Sequence, residues 1–173
     1  MMVPMPIEMN YCMQCGTKLE KKFLEGEGEV PYCSTCADYR FPVFNTAVSM
    51  IVRDPKGNIL LVKQYGRDSY ILVAGYVNKG EDAEHAVARE VEEEMGLHIT
   101  GLHFNHSHYF APSNTLMLNW TVTIGDEAAH PNREIDSYAW FTPVEARRNI
   151  RQGSLAEEFL VGYLDQKWSF KPR

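Results

Sequence analysis

Residues 43 to 54, VFNTAVSMIVRD, are dense in β-branched and apolar side chains, and the turn PKGN separates them from a second apolar run, ILLVKQY (59 to 65). That order predicts a hairpin. A third extended run, YILVAGYV (70 to 77), is interrupted near its end by Gly75. From Asp82 the period changes from two to 3.6. Ala83, Ala86, Val87, Val91 and Met95 then share one helical face, and Gly96 stands where a C-cap belongs. HITGLHFNHSHYF (98 to 110) and TLMLNWTVTI (115 to 124) read as strands, and the polar loop GDEAAHPNRE leads to a short strand, SYAWF (137 to 141). TPVEARRNI and SLAEEFLVGYLDQK read as two helices, with Thr142 and Ser154 as N-caps and Pro143 at N1. Strands with helices laid on both faces of a mixed sheet predict an α/β sandwich.

The pattern is weaker before residue 43, where all four cysteines lie: Cys12-x2-Cys15, a gap of 17 residues, then Cys33-x2-Cys36. This is the spacing of a zinc ribbon, in which four thiolates close tetrahedrally around the ion and leave no position for water. A module with so little core of its own takes its folding energy from the metal. The expected organisation is a flexible N-terminus over 1–9, a ribbon over 10–40 and the main domain over 41–173, with Pro42 opposing any helix across the boundary. Disulfides and a redox CxxC are the competing readings, and neither suits a chain without a secretion signal.

Length and composition add limits. At 173 residues the chain has room for one ordinary domain and a small appendage. A net charge of −6 provides no long-range basic field for nucleic acid or an anionic membrane. The start, MMVPMPIEMN, lacks a cationic segment followed by an apolar run, and no stretch reaches the ~18 apolar residues of a bilayer span. The expectation is a cytoplasmic protein that does not engage a membrane.

The chemistry is concentrated in GYVNKGEDAEHAVAREVEEEMG, residues 75 to 96, where seven carboxylates fall between Glu81 and Glu94. Like charges at helical spacing oppose one another by about 0.2–0.5 kcal/mol per pair, so a helix that needed only solubility would interleave lysines. Glu90, Glu93 and Glu94 lie at i, i+3 and i+4 and share a face. Converging carboxylates form a hard-oxygen site for Mg²⁺ or Mn²⁺ that keeps positions for water and phosphate. The bland alternative is an acidic solvated face, as most glutamate runs are.

The setting separates the two. Gly75-x5-Glu81-x7-Arg89-Glu90-Val91-x-Glu93-Glu94-x-Gly96-Leu97 resembles the Nudix box at each of its nine specified positions. That resemblance implies a Nudix α/β/α sandwich whose loop-helix-loop binds a divalent ion and hydrolyses a nucleoside diphosphate derivative. It implies Glu90 and Glu94 as the principal metal ligands, joined by the Ala74 carbonyl, with Glu93 as a further ligand or the partner of Arg89, and Glu81 bracing the loop.

A ribbon placed before such a domain resembles the NADH pyrophosphatase branch of that superfamily. AGYV matches the branch's AGFV, which implies that Tyr76 stacks on a base. REIDSYAWF resembles the segment that adds a metal ligand, here Glu134, six residues before a tryptophan, here Trp140. GSLAEEFL is similar to the start of the C-terminal helix, where Ala156 touches substrate, and Phe41 takes the place of an aromatic near the nucleotide. The branch's Ser-Gln-Pro-Trp-Pro-Phe-Pro-x-Ser stretch reads SHYFAPSNT here, so His108, Tyr109 and Thr115 stand in its substrate loop with different chemistry. His103 and His106 read as ordinary surface or core histidines.

The branch implies hydrolysis of NADH or NAD⁺ to AMP and a nicotinamide mononucleotide, with Glu93, Glu94 and Glu134 as catalytic residues and Glu93 or Glu134 as the general base, and it implies a homodimer. ADP-ribose, FAD and the NAD cap of RNA are alternative substrates of the same chemistry. A nucleic-acid-binding ribbon on an inactive Nudix fold is the alternative of another class, and the intact acids and negative charge oppose it.

Overall fold

The computed structural model describes residues 8–168. The chain divides into two compact units, one reaching Asn45 and including Ala111–Thr115, the other formed by Thr46–Phe110 and the chain from Leu116 onward.

The first unit carries a three-stranded antiparallel sheet in the order β1 (Glu20–Leu24), β2 (Gly28–Cys33) and β3 (Asp38–Tyr39). Its buried apolar residues are few, Cys12, Val30 and Cys33 among them. The four thiols take the place of a core: Cys15 Sγ lies 3.4 Å from Cys33 Sγ and Cys12 Sγ 3.9 Å from Cys36 Sγ, and no disulfide joins them. Ala111–Ser113 forms a 3₁₀ turn in this unit, and Asn114 closes it onto the Val43 carbonyl through its side-chain amide, 2.9 Å.

The second unit is built on β4 (Asn45–Arg53), β5 (Ile59–Gln64), β6 (Val73–Tyr76), β7 (Ile99–Phe110), β8 (Thr115–Ile124) and β9 (Ile135–Phe141). The sheet runs β7-β8-β4-β5-β9, with β6 paired antiparallel to β4. The helices are α1 (Ala83–Met95), α2 (Pro143–Asn149) and α3 (Leu155–Leu164).

The central strands are buried on both faces, and the pleat sorts their side chains. Val48, Met50 and Val52 of β4 and Leu60 and Val62 of β5 pack with Ala86, Val87, Val91 and Met95 of α1. Ile51, Ile59 and Leu61 turn the other way, onto Ala146, Phe159 and Leu160 of α2 and α3. This is the α/β/α sandwich expected from the pattern.

The predicted β4–β5 hairpin is real at its turn, where Asp54 accepts from the backbone N–H of Lys56 and of Asn58. Beyond Arg53↔Ile59, however, β5 runs along β9, from Ile59↔Phe141 to Gln64↔Ile135. The helix boundaries follow their caps. Gly96 ends α1 in the left-handed region at φ 63°, and Thr142 and Glu145 complete a capping box on α2. Ser154 caps α3 through the Glu157 N–H, whereas Asp82 makes no side-chain cap on α1. Among the described residues no helix is long and apolar enough to cross a membrane.

Candidate active site

Strand β6 ends at Tyr76, and the chain then loops into α1, whose apolar stripe is anchored on the sheet. Anchoring the stripe fixes the direction of the acids. Glu90 turns back to β6 so closely that a Cβ at Gly75 would lie 1.9 Å from its carboxyl carbon, so only glycine leaves room for that side chain. Glu94, one turn further on, is 6% exposed, and one of its carboxylate oxygens is buried without a hydrogen-bond partner. Burial raises its pKa to about 8, reinforced by the charges of Glu90, Glu134 and Glu93. An orphaned carboxylate oxygen held among three others is costly unless a cation completes it.

Arg89 organises the loop. Its guanidinium donates to both oxygens of Glu81 (2.7 and 2.9 Å), to Glu90 (2.6 Å), to Glu93 (3.0 Å) and to the Tyr76 carbonyl (2.9 Å). Glu81 also accepts from the Asn78 N–H at 2.9 Å, and these bonds bring its pKa down to about 2. The loop is therefore tied to the helix through one side chain. Glu93 remains largely exposed beyond this clamp. Glu92 points away from it, towards His98.

Glu134 approaches from the start of β9. Its Oε2 accepts from the Tyr65 hydroxyl at 3.0 Å, and that bond, with the charges of Glu134, Glu94 and Glu90, raises the Tyr65 pKa. The loop before Glu134 is fastened to the end of α1 by the N–H of Asn132 on the Glu94 carbonyl and of His130 on the Met95 carbonyl. Glu90, Glu134 and Glu93 thus lie near enough to Glu94 for their charges to act on it.

The other residues named from the sequence are spread more widely. Tyr76 is exposed at the mouth of the loop, and Ala74 sits in β6 opposite Ser49. His108 of β7 pairs with Glu158 of α3 at 3.2 Å, beside a cavity of about 420 Å³ that Phe110, Ser154, Leu155 and Glu157 also line. Ala156 is partly buried against the core under α3, and Tyr109 is exposed on β7. Phe41 and Thr115 belong to the first unit. Phe41 is exposed, while Thr115 is buried, with its hydroxyl donating to the Ser113 carbonyl at 3.0 Å. His106 lies stacked on Trp168 with ring centroids 4.0 Å apart.

In the first unit, Arg40 Nε donates to Cys12 Sγ at 3.3 Å, which with the backbone N–H groups of Cys15 and Gln14 lowers the Cys12 pKa to about 6. Cys36 moves the other way, to about 12, through its bond to Cys15 and burial. Among the described residues, these thiols are the group whose ligand atoms all converge within 4.8 Å.

Tyr65, Asp136 and the reach of Arg89 to the Tyr76 carbonyl were not legible as site features. One signal was available for the first two. Glu134 and Asp136 are spaced by two, so an extended chain directs both the same way, and adjacent residues receive them: Tyr65 through its hydroxyl and Gly66 through its N–H, 2.7 Å from Asp136.

The fold and the site together define a class: α/β/α sandwiches that present a carboxylate-rich loop-helix-loop beside a mixed sheet. The model of the NUDIX domain matches residues 43–159, and the chain belongs to that family. The NAD-capped RNA hydrolase NudC of Pseudomonas aeruginosa is 30% identical over 149 residues, which are 81% of this chain and 52% of that protein. The protein of the same description from Stutzerimonas stutzeri is 33% identical over 135 residues, 76% of this chain and 47% of that one. The chain spans about half the length of the curated relatives it matches. Among solved structures, a NUDIX hydrolase from Nitrosomonas europaea superposes with a TM-score of 0.64 at 20% identity over 92% of each chain. An Ap4A hydrolase from Caenorhabditis elegans gives 0.57 at 18% identity over 72% of this chain and 99% of that one. These two likenesses concern the fold.

Proposed function

We propose that this protein hydrolyses the pyrophosphate bond of a dinucleotide such as NADH or NAD⁺, releasing AMP and a nicotinamide mononucleotide, with Mg²⁺ or Mn²⁺ at the loop-helix-loop and structural Zn²⁺ in the ribbon. The observation that carries this reading is Glu94: a buried carboxylate with a partnerless oxygen, backed by Glu90, Glu93 and Glu134. That donor set fits a hard divalent ion, and the space kept open at Gly75 fits Glu90 as a ligand. The Ala74 carbonyl is the additional ligand that the family pattern supplies. The thiols fit zinc as well: Zn–S bonds of about 2.3 Å in a tetrahedron place sulfurs ~3.75 Å apart, Cys15–Cys33 and Cys12–Cys36 stand at 3.4 and 3.9 Å, and all four lie within 4.8 Å of one another.

When bound, the divalent ion supplies charge neutralisation at the pyrophosphate and a lowered pKa for a coordinated water. The chain's own residues do the rest. Glu90 and Glu94 hold the ion, Arg89 keeps Glu90, Glu93 and Glu81 in register, and Tyr76 stacks on a base. Glu93 or Glu134 takes the proton of the attacking water at a carboxylate oxygen. One nucleotide leaves as a 5′-phosphate without a covalent intermediate.

His108, Tyr109, Phe110 and the start of α3 around Ala156 form the wall that ranks substrates. Phe41 and Thr115 are the further substrate contacts, and a homodimer the assembly, that the family branch implies. The names of the curated relatives favour the NAD cap of RNA as a longer substrate for the same chemistry. A panel of NADH, NAD⁺, ADP-ribose, FAD and NAD-capped RNA, with Mg²⁺ and Mn²⁺ and scored by product identity, tests the proposal. Absence of AMP or a 5′-monophosphate end from every substrate overturns it.

A further inference from the structure

The end of β5 and the residue after it carry features that the Nudix box does not explain. Tyr65 has φ 56°, in the left-handed region that costs an L-residue strain, most of all a bulky one. Its side chain does not offset that cost by burial, because the residue is 66% exposed. The surrounding chain imposes the conformation. The β5–β9 pairing shifts register between Lys63 and Gln64, the Arg67 N–H returns to the Gln64 carbonyl at 3.2 Å, and the Gly66 N–H is held on Asp136.

What the strain achieves is direction: the Tyr65 hydroxyl reaches Glu134 Oε2 at 3.0 Å. A second observation lies one residue earlier. Lys63 turns towards the Tyr70 ring and Asp68, so Gln64 turns to the α1 side of the sheet, where its amide nitrogen is buried without a partner. Strain that persists without compensating packing marks functional positions.

We infer that Tyr65 is a positioning residue: its hydroxyl orients the Glu134 carboxylate towards the Glu90 and Glu94 pair, so that the divalent ion meets a set already aimed. This rests on the reading of Glu134 as a metal ligand given above. Glu134 is exposed just before β9, with its backbone N–H held on Asn132 Oδ1 at 2.9 Å, and a hydrogen bond to one carboxylate oxygen leaves the other free for the ion.

The test compares Tyr65→Phe, Glu134→Gln and the double variant in the full chain. Mn²⁺ affinity is measured by electron paramagnetic resonance, thermal stability by melting, and kcat and KM on the best dinucleotide. A hydrogen bond to a charged group of this kind predicts about a tenfold loss of Mn²⁺ affinity in Tyr65→Phe, with KM little changed and the melting temperature preserved. The double variant should be no weaker than Glu134→Gln alone. Tyr65→Asn, whose short side chain accepts the left-handed region, should fold as well as the wild type and share the loss. Mn²⁺ affinity within twofold of wild type in Tyr65→Phe, with Glu134→Gln impaired, overturns the role of Tyr65 and leaves the functional reading standing. Unchanged Mn²⁺ affinity in Glu134→Gln overturns both the ligand assignment and this inference.

Discussion

Gly75→Ala isolates the geometry of the site from its stability. The backbone of Gly75 does not lie in the left-handed region, so alanine meets no conformational penalty there. The three heavy atoms nearest the added methyl all belong to the Glu90 carboxylate, at 1.9 to 2.3 Å. Moving from 1.9 Å to the 3.4 Å at which ordinary contact begins requires a retreat of about 1.5 Å by the end of a flexible side chain. The fold should survive. The retreat pulls Glu90 off the Arg89 guanidinium and out of the ligand set, and a misplacement of about 1 Å in a reacting assembly costs ~100-fold, or about 2.7 kcal/mol of barrier at ~1.36 kcal/mol per decade. Turnover of the best dinucleotide should fall by about two decades with the melting temperature held. Gly57→Ala is the converse control. Gly57 has φ 85° in the turn beyond the opposite end of β4 from the Gly75 pairing, and its Cβ would meet only the tip of Arg53. It should lose about 1–2 kcal/mol of stability at unchanged kcat. Full activity in Gly75→Ala would show that Glu90 does not need its place against β6, and the assignment of Glu90 as a ligand would fail.

The remaining predictions follow from the same clamp and from the ribbon. Arg89→Met should lower stability by about 1–3 kcal/mol, because Glu81, Glu90 and Glu93 lose a shared partner, whereas Glu92→Gln on the outer face should be neutral in both melting and kinetics. Glu81 has its pKa lowered to about 2 by Arg89, so its contribution is present above its ordinary value near 4.5 and is lost as pH falls towards 2. The stability gap between wild type and Glu81→Gln should therefore close over that window in acid melts. Glu94 has the opposite sign: with its pKa raised to about 8, the metal-free protein loses stability as pH rises from about 4.5 to 8, and Glu94→Gln should melt higher than wild type at pH 8 without metal. Added Mn²⁺ should raise the wild-type melting temperature and leave that of Glu94→Gln almost unmoved. Metal analysis should return one zinc per chain, and Cys33→Ser should abolish it while the Mg²⁺ dependence of residual activity persists.

What could be read from the chain and what could not divide along a physical line. The acidic face of α1 was legible because it is local: a 3.6-residue period places Val91 and Met95 on the sheet, and Glu90, Glu93 and Glu94 must then project together. The same argument misses the burial of Glu94, because a period gives direction but not how much of the second unit closes over the side chain. The β5–β9 register was hidden for a related reason. Ile59 and Phe141 are separated by most of the domain, and the PKGN turn advertises only the neighbour that is near in sequence. Tyr65 lay deeper still, since left-handed backbone is announced by glycine or asparagine and here a tyrosine adopts it under constraints from β9. The cysteine ribbon and the Nudix box were recognisable because their residues recur at fixed local spacings in the sequence itself. Glu134 was legible through its offset from Trp140, but the strand pairing that sets Tyr65 opposite it is long-range. The site is therefore half a local motif and half a product of sheet topology, and substitutions in the second half, at Tyr65, Gly66 and Asp136, are where a comparison of sequence with activity has most to reveal.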